Sequence, residues 1–252
     1  MLFRSDYRES KDDCCAELIG TTPSGATAAG AFAATVLPPA QGDRTRLINQ
    51  DLITRTNEKS WGVSGQFDWE LGNQTVTYIG SYREYVNEEI RDGDWLPQAY
   101  SGLNQLHDVG PQVSNTLTQE LRLTSPADQF FSYVLGAFYS RAETTRTFTR
   151  TDIVCNAAPV GTPCSTVPAL TTRPTGTAVF GSVFKNFALF GQGTLNFTDR
   201  FRGIVGIRYT TDQLDVFHRR DTTLAGPGIQ PSFGPFTGKT TNDNWSGKAG
   251  IQ

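Results

Sequence analysis

The sequence predicts an all-β fold: an antiparallel transmembrane β-barrel fragment of about eight long strands, with short periplasmic turns at one end and long extracellular loops at the other. Three observations predict it. Apolar and polar residues alternate with a period of two, tight and long connections alternate along the chain, and the composition favours strands and turns. The 252 residues include 25 Gly, 16 Phe, 8 Tyr and 4 Trp, yet only 37% are hydrophobic, which suits half-buried strands better than helices. A mean hydropathy of -0.36 is compatible with a membrane wall, because only alternate residues of a barrel strand meet lipid. No apolar run reaches the roughly 18–20 residues that a transmembrane helix requires. A net charge of -3 and a pI near 5.4 supply no basic footprint, so nucleic acid is excluded as a partner. The first residues lack the cationic and apolar segments of a secretory signal.

The alternation is explicit in several segments. Across positions 61–71 the odd residues Trp61, Val63, Gly65, Phe67, Trp69 and Leu71 oppose Gly62, Ser64, Gln66, Asp68 and Glu70. Positions 187–197 repeat the pattern with Phe187, Leu189, Leu195 and Phe197 on one side and Gln192, Thr194 and Asn196 on the other. The odd residues of both segments are expected to face lipid and the even ones the lumen. Positions 201–212, with Phe201, Val205, Ile207 and Tyr209, and positions 131–139, with Phe131, Tyr133, Leu135 and Tyr139, follow the same rule, as do Leu117, Leu121 and Leu123 against Thr118, Glu120 and Arg122.

The connections carry the topology. Positions 72–74, 124–129 and 198–200 read as tight turns, whereas 12–50, 91–113, 151–176 and 222–242 are long and rich in Pro, Gly, Asn and Asp. Segments 75–91 and 129–150 are long enough to span a bilayer, for which roughly 9–11 residues suffice, and to project beyond it. The last segment, with Trp245, Gly247, Ala249 and Ile251 alternating, stops at Gln252 without a closing turn. An unpaired strand edge in lipid costs several kcal/mol per group, so residues 1–252 are expected to be one part of a longer barrel domain.

Particular phrases then become recognisable. TQELRLTSP at 118–126 followed by FSYVLGAFY at 131–139 resembles the mid-barrel hairpin of TonB-dependent receptors of the iron-complex type. FGQGTLNFTDR at 190–200 with GIRYTTD at 206–212 resembles the next hairpin of that family, WELG at 69–72 with TYIGSYR at 77–83 the preceding one, and SGKAGIQ at 246–252 the start of the following strand. The resemblance covers positions 61–252 in the family's order. It implies an outer-membrane receptor of a Gram-negative bacterium that takes up a ferric siderophore or similarly scarce ligand, driven by the TonB complex. It also implies an amino-terminal plug, preceded by a TonB-contacting box, and terminal strands ending in an aromatic residue. None of these three is present in the sequence, so contact with TonB would pass through a plug outside it.

Site residues are few. Cys155 and Cys164 enclose a turn-rich stretch in an expected external loop, where an oxidising compartment favours a disulfide over metal ligation. Cys14 and Cys15 are adjacent, and separate partners or free thiols are open to them. His107 and His218 are expected in or beside surface loops, and the pairs Asp12-Asp13 and Glu88-Glu89 on a solvated rim. Gly191-Gln192-Gly193 lies in a strand, so a dinucleotide loop is excluded. No catalytic constellation, cofactor motif or metal cluster emerges, and no enzyme is expected. Trp69, Phe131, Phe197 and Phe201 sit beside the tight turns, as a membrane-interface girdle requires. A passive porin-like barrel and a soluble β-sandwich binding module are the competing readings.

Overall fold

The computed structural model describes residues 1–13, 25–37, 47–198 and 200–252. Ten strands and one helix emerge in chain order: β1 (Leu2–Asp12), α1 (Ala28–Val36), β2 (Arg55–Leu71), β3 (Gln74–Asp92), β4 (Gln105–Val109), β5 (Gln112–Thr124), β6 (Phe131–Cys155), β7 (Thr171–Thr172), β8 (Thr175–Thr198), β9 (Phe201–Leu224) and β10 (Phe233–Ile251). Every pairing between these strands is antiparallel and successive long strands lie side by side, as hairpin connections dictate.

β4 and β5 are one strand in two pieces. Both lie between β3 and β6, and the register runs through Ile90↔Val109 and Asn87↔Gln112 without a shift. Gly110 N–H still donates to the Glu89 carbonyl at 2.8 Å and the Pro111 carbonyl accepts from Thr147 N–H at 2.9 Å. Only the missing N–H of Pro111 interrupts the ladder. With β7 a two-residue appendage to β6, eight long strands form the sheet, as the alternation predicts.

The tight ends form as the turn chemistry requires. Leu71 pairs with Gln74 across the loop Gly72-Asn73, and Gly72 adopts φ 65°, the left-handed conformation needed at the first position of a II′ hairpin turn. In the turn before β6, Ser125 Oγ accepts from Tyr133 N–H at 2.7 Å, and the Asn196 side chain donates to the Gln129 carbonyl at 2.6 Å.

At the other end the expected loops are shorter than their composition suggests. β4 takes up part of 91–113, β6 continues to Cys155, and β10 begins at Phe233 inside the expected loop 222–242. The cause is that these strand extensions carry polar and apolar residues on both faces, so their alternation vanishes from the sequence. Expected loop 12–50 contains α1, which was not anticipated; Thr27 caps it by accepting from Gly30 N–H at 3.0 Å. At nine residues α1 cannot cross a membrane, and no helix among the described residues is long and apolar enough to do so.

The sheet is a single layer with no second sheet packed on it among the described residues. Its interior is correspondingly small. Ala99, Ile153, Cys155 and Cys164 form a buried cluster under the loops at the long-loop end, while Leu121, Leu135, Val205 and Ile207 on the strands remain 50% exposed or more.

Candidate functional site: the two sheet faces and the loop cluster

Cross-strand pairing sorts the side chains into two faces. Phe67, Tyr78, Leu121, Ala137, Leu189, Tyr209 and Trp245 are consecutive direct partners across seven strands, so they share one face. All the odd residues singled out in 61–71, 131–139, 187–197 and 201–209 fall on it. The opposite face carries Ser64, Gln66, Thr118, Arg122, Gln192, Thr194 and Arg208, reached through the intervening pairs of the same ladders.

The apolar face is a band with two aromatic borders. Trp69, Phe131, Phe197 and Phe201 line the tight-turn border as expected, with Phe197 and Phe201 rings 5.5 Å apart. A second border, missed in the sequence, consists of Trp61, Tyr82, Tyr139, Phe187, Tyr209 and Trp245. Its ring pairs Trp61–Tyr82 and Tyr209–Trp245 lie 5.2 Å and 4.9 Å apart. The signal was present: each alternating run has an aromatic at its long-loop end with a polar or charged residue two positions farther out, such as Lys59, Arg141, Lys185 and Asp243.

The borders run obliquely across the strands. Following direct partners from Trp245 leads to Phe67 on β2, six residues short of Trp61 and six strand spacings away. At about 3.3 Å per residue and about 4.8 Å per strand, that is a slope of about 35°. The tight-turn border agrees, since Trp69 leads to Ile207, six residues from Phe201 over five spacings, a slope of about 40°. Strands of membrane barrels tilt by roughly 35–45°. Between the borders each of 61–69, 131–139 and 201–209 supplies a stretch whose length matches the roughly 9–11 residues of a tilted spanning strand.

The polar face is rich in arginine–aromatic contacts in its upper half. Arg208 lies 6.0 Å and 5.8 Å from the ring centres of Phe138 and Phe190, a cation–π arrangement. Arg146 and Arg150 flank Phe148 at 5.9 Å and 5.7 Å. Arg150 also grips Asp108 in a fork of 2.8 Å and 2.6 Å, and Arg146 meets Glu89 at 2.7 Å. Glu89 thus belongs to this network rather than to a solvated rim, because strand alternation separates it from Glu88, whose partner is Asn57 at 3.3 Å. Asp12 and Asp13 are exposed.

The loop cluster gathers the remaining titratable groups. Cys155 and Cys164 are buried with Cα atoms 5.4 Å apart, inside the span of bridged cysteines. Cys14 and Cys15 lie outside the described residues. His107 is not a free surface residue: it sits on β4 with Nε2 3.1 Å from Asp51 Oδ1. His218 lies within β9, its ring 6.0 Å from Phe180 and 5.6 Å from Phe233. Candidate ligand atoms of Asp51, Asp92 and His107 lie within 4.8 Å of one another, but Asp92 already accepts from Leu52, Asp94 and Trp95 N–H groups, so hydrogen bonding accounts for the group. Burial, reinforced by the Asp92 charge, raises the Asp94 carboxyl to about 7 although Leu106 and Leu96 N–H groups donate to it. Asp152 is fully buried, accepting from Asn104 at 3.3 Å and Gly228 N–H at 3.0 Å.

A tilted strand sheet with an aromatic-bordered apolar face and a polar opposite face is the wall of an outer-membrane type of barrel. The family model for the β-barrel of TonB-dependent receptors matches residues 18–252, and the chain belongs to that family, whose members are outer-membrane receptors rather than enzymes. The fold is shared with the siderophore receptor PiuA from Acinetobacter baumannii, at TM-score 0.56 and 14% identity over 99% of this chain. It is also shared with the ferric yersiniabactin uptake receptor FyuA from Yersinia pestis, at TM-score 0.50 and 18% identity over 79%. The chain spans 36% and 26% of those two proteins. No curated protein sequence matches it.

Proposed function

We propose that residues 1–252 form part of the barrel wall of an outer-membrane receptor that actively takes up a ferric siderophore or a similarly scarce chelate. In this reading the apolar band meets lipid, the tight turns lie in the periplasm and the loop cluster faces outward. A plug domain outside this sequence fills the lumen and transmits energy from the TonB complex. The observation that carries the reading is the oblique, doubly bordered apolar band. A soluble β-sandwich would bury that face against a second sheet. The arginine–aromatic sets in the upper half of the opposite face, Arg208 between Phe138 and Phe190 above all, favour a receptor for a planar chelate over a passive pore, since guanidinium and ring faces bind planar ligands. The similarity to two siderophore receptors supports the same ligand class.

Cys155 and Cys164 are proposed to be bridged, clamping the outer loop onto the end of β6. The decisive experiment is uptake of radiolabelled ferric siderophores by cells carrying or lacking the gene, with the TonB system intact or deleted. Uptake that needs both the gene and TonB is expected. Gene-dependent entry that persists without TonB would establish a passive pore instead.

A further inference from the structure

Most arginines of the polar face on the central strands are matched by acids. Arg83 meets Asp6 at 2.6 Å and Arg146 meets Glu89 at 2.7 Å, while Arg122 meets Glu120 and Arg150 forks onto Asp108. Arg208 and Lys248 differ. Both line a cavity of about 300 Å³ on this face, together with Phe190, Gln192, Gly206 and Ser246. The glycine makes room for it: a Cβ at Gly206 would come within 3.0 Å of Lys248 Cε, so the lysine stem lies across that position.

The ladders supply no counter-charge. Arg208 pairs directly with Phe190 and Ser246, and Lys248 with Gly206; the diagonal neighbours on the same face are Ala188, Gln192, Ile204 and Asn244. The first carboxylate along β9 on that face is Asp212, which already accepts from the Asn186 side chain at 2.5 Å. Arg208 Nε donates to Thr210 Oγ1 at 3.1 Å. Its terminal N–H groups and the Lys248 ammonium have no partner among the described residues. Arg208 lies one residue, and Lys248 three residues, inside the outer border pair Tyr209↔Trp245. Both cations therefore stand at the depth of the apolar band, on its opposite face.

We propose that Arg208 and Lys248 anchor one carboxylate side chain of the plug domain, which on the receptor reading above fills the lumen at this depth. Packing a domain against this wall takes both cations out of water, which is strongly unfavourable unless an opposite charge arrives with it. A carboxylate has two oxygens, so it can serve the guanidinium edge and the ammonium together, with the Gln192 amide and the Ser246 hydroxyl as neutral donors beside them. A charge pair of this kind also fixes which side of the plug meets β9 and β10, since any other orientation leaves the cations buried and unpaired. The proposal rests on the receptor reading. It goes beyond that reading in naming the wall residues that hold the plug and the charge the plug must present to them.

The test is carbodiimide coupling in the purified full-length receptor, which joins a carboxylate to an amine only where the two are in contact, read by peptide mass spectrometry. Lys248 is expected in an amide with an aspartate or glutamate of the plug. Lys185, 3.8 Å from Asp215 on the apolar side of the sheet, should couple to that residue and serves as the internal reference. Arg208→Gln should lower the Lys248 yield about tenfold against that reference, the loss of one charge-assisted contact. In a second measurement, R208Q/K248Q should lower by about 1 M the urea concentration at which the plug becomes protease-sensitive. R208K/K248R should keep the parent value, and Lys185→Gln should not move it. Heat-modifiable gel mobility reports that each variant's barrel is folded. The proposal is overturned if Lys248 stays uncoupled, or couples to another barrel strand, while Lys185 couples to Asp215. An unchanged urea value in R208Q/K248Q overturns it equally. A full-length chain with no domain inside its barrel sinks the receptor reading, whereas a plugged barrel with Lys248 uncoupled sinks only the anchor.

Discussion

Replacing Val205 with Arg places a charge at the centre of the apolar band. Val205 lies midway between the border residues Phe201 and Tyr209, and it is 62% exposed on that face. If the face meets lipid, Val205 stands at the bilayer midplane, where an arginine on a barrel wall costs about 2–4 kcal/mol. That corresponds to a loss of roughly 30- to 900-fold in the folded-to-unfolded ratio. The control is Thr194→Arg. Thr194 is the partner of Ile204 on the opposite face and neighbours Gly193, whose partner is Val205 itself. The two sites therefore share depth, strand pair and chain environment and differ only in the face they occupy. Thr194→Arg should cost less than about 1 kcal/mol, as solvated substitutions usually do. Urea titration of the receptor refolded into lipid vesicles, read by heat-modifiable gel mobility, measures both. Equal penalties, or a larger one at Thr194, would refute the assignment of faces and with it the transmembrane reading.

Four further outcomes are expected. Peptide mapping without reductant should recover Cys155 and Cys164 in one linked fragment, and replacing both by Ser should destabilise the loop by about 2–3 kcal/mol on the chain-entropy model for this short closure; two alkylated thiols would disprove the bridge. The Asp94 carboxyl is raised from 3.8 to about 7, so the neutral form stabilises its turn fully below about pH 4, and that contribution is lost as pH rises through about 7. Hydrogen exchange at the Leu96 and Leu106 amides, corrected for intrinsic rates, should quicken across that window and become flat in Asp94→Asn. Gly136→Ala should lower stability by about 1–3 kcal/mol, because the added methyl would overlap the Phe190 ring; an unchanged urea midpoint would contradict the packing. Asp152→Ala removes the acceptor that holds Gly228 and Asn104, which should cost about 1–3 kcal/mol and expose residues 226–229 to limited proteolysis first.

The membrane-spanning part of the wall was legible because there a single physical constraint, oil on one side and water on the other, acts on every second residue. Trp61, Leu121, Leu189 and Ile207 could be placed on one face from parity alone, and the ladders put them there. Beyond the outer border of β10 both faces are polar, so residues 237–242 carry no parity and read as loop although they continue β10. The second aromatic border was also hidden, since its members lie in different rows and align only once the strands are sheared against one another. Pro111 masked the union of β4 and β5, because a proline inside a strand signals a break even where the register passes through it. The loop cluster was least legible. His107 meets Asp51, which is 56 residues away, and Asp152 meets Gly228 across 76, distances over which no local pattern operates.

On the receptor reading proposed above, the same separation encodes ligand selectivity apart from the fold. Residues of the apolar band are constrained by parity and need only be oily, with aromatics at the two borders. Residues of the opposite face are constrained by one another: Arg208 needs Phe138 and Phe190, Arg150 needs Asp108, and Arg146 needs Glu89. Each such group joins β6 to another strand, to β4 directly, to β3 across β5 and to β9 across β8, so changing one member leaves a charge or ring without its partner while the sheet's ladder is untouched. On that reading ligand preference shifts by exchanging these sets on β3, β4, β6, β8 and β9 without disturbing the wall. Removing Arg208 by Arg208→Gln is accordingly expected to reduce siderophore uptake while the heat-modifiable barrel forms normally, and uptake at the parent level would show that this group serves the wall rather than the cargo.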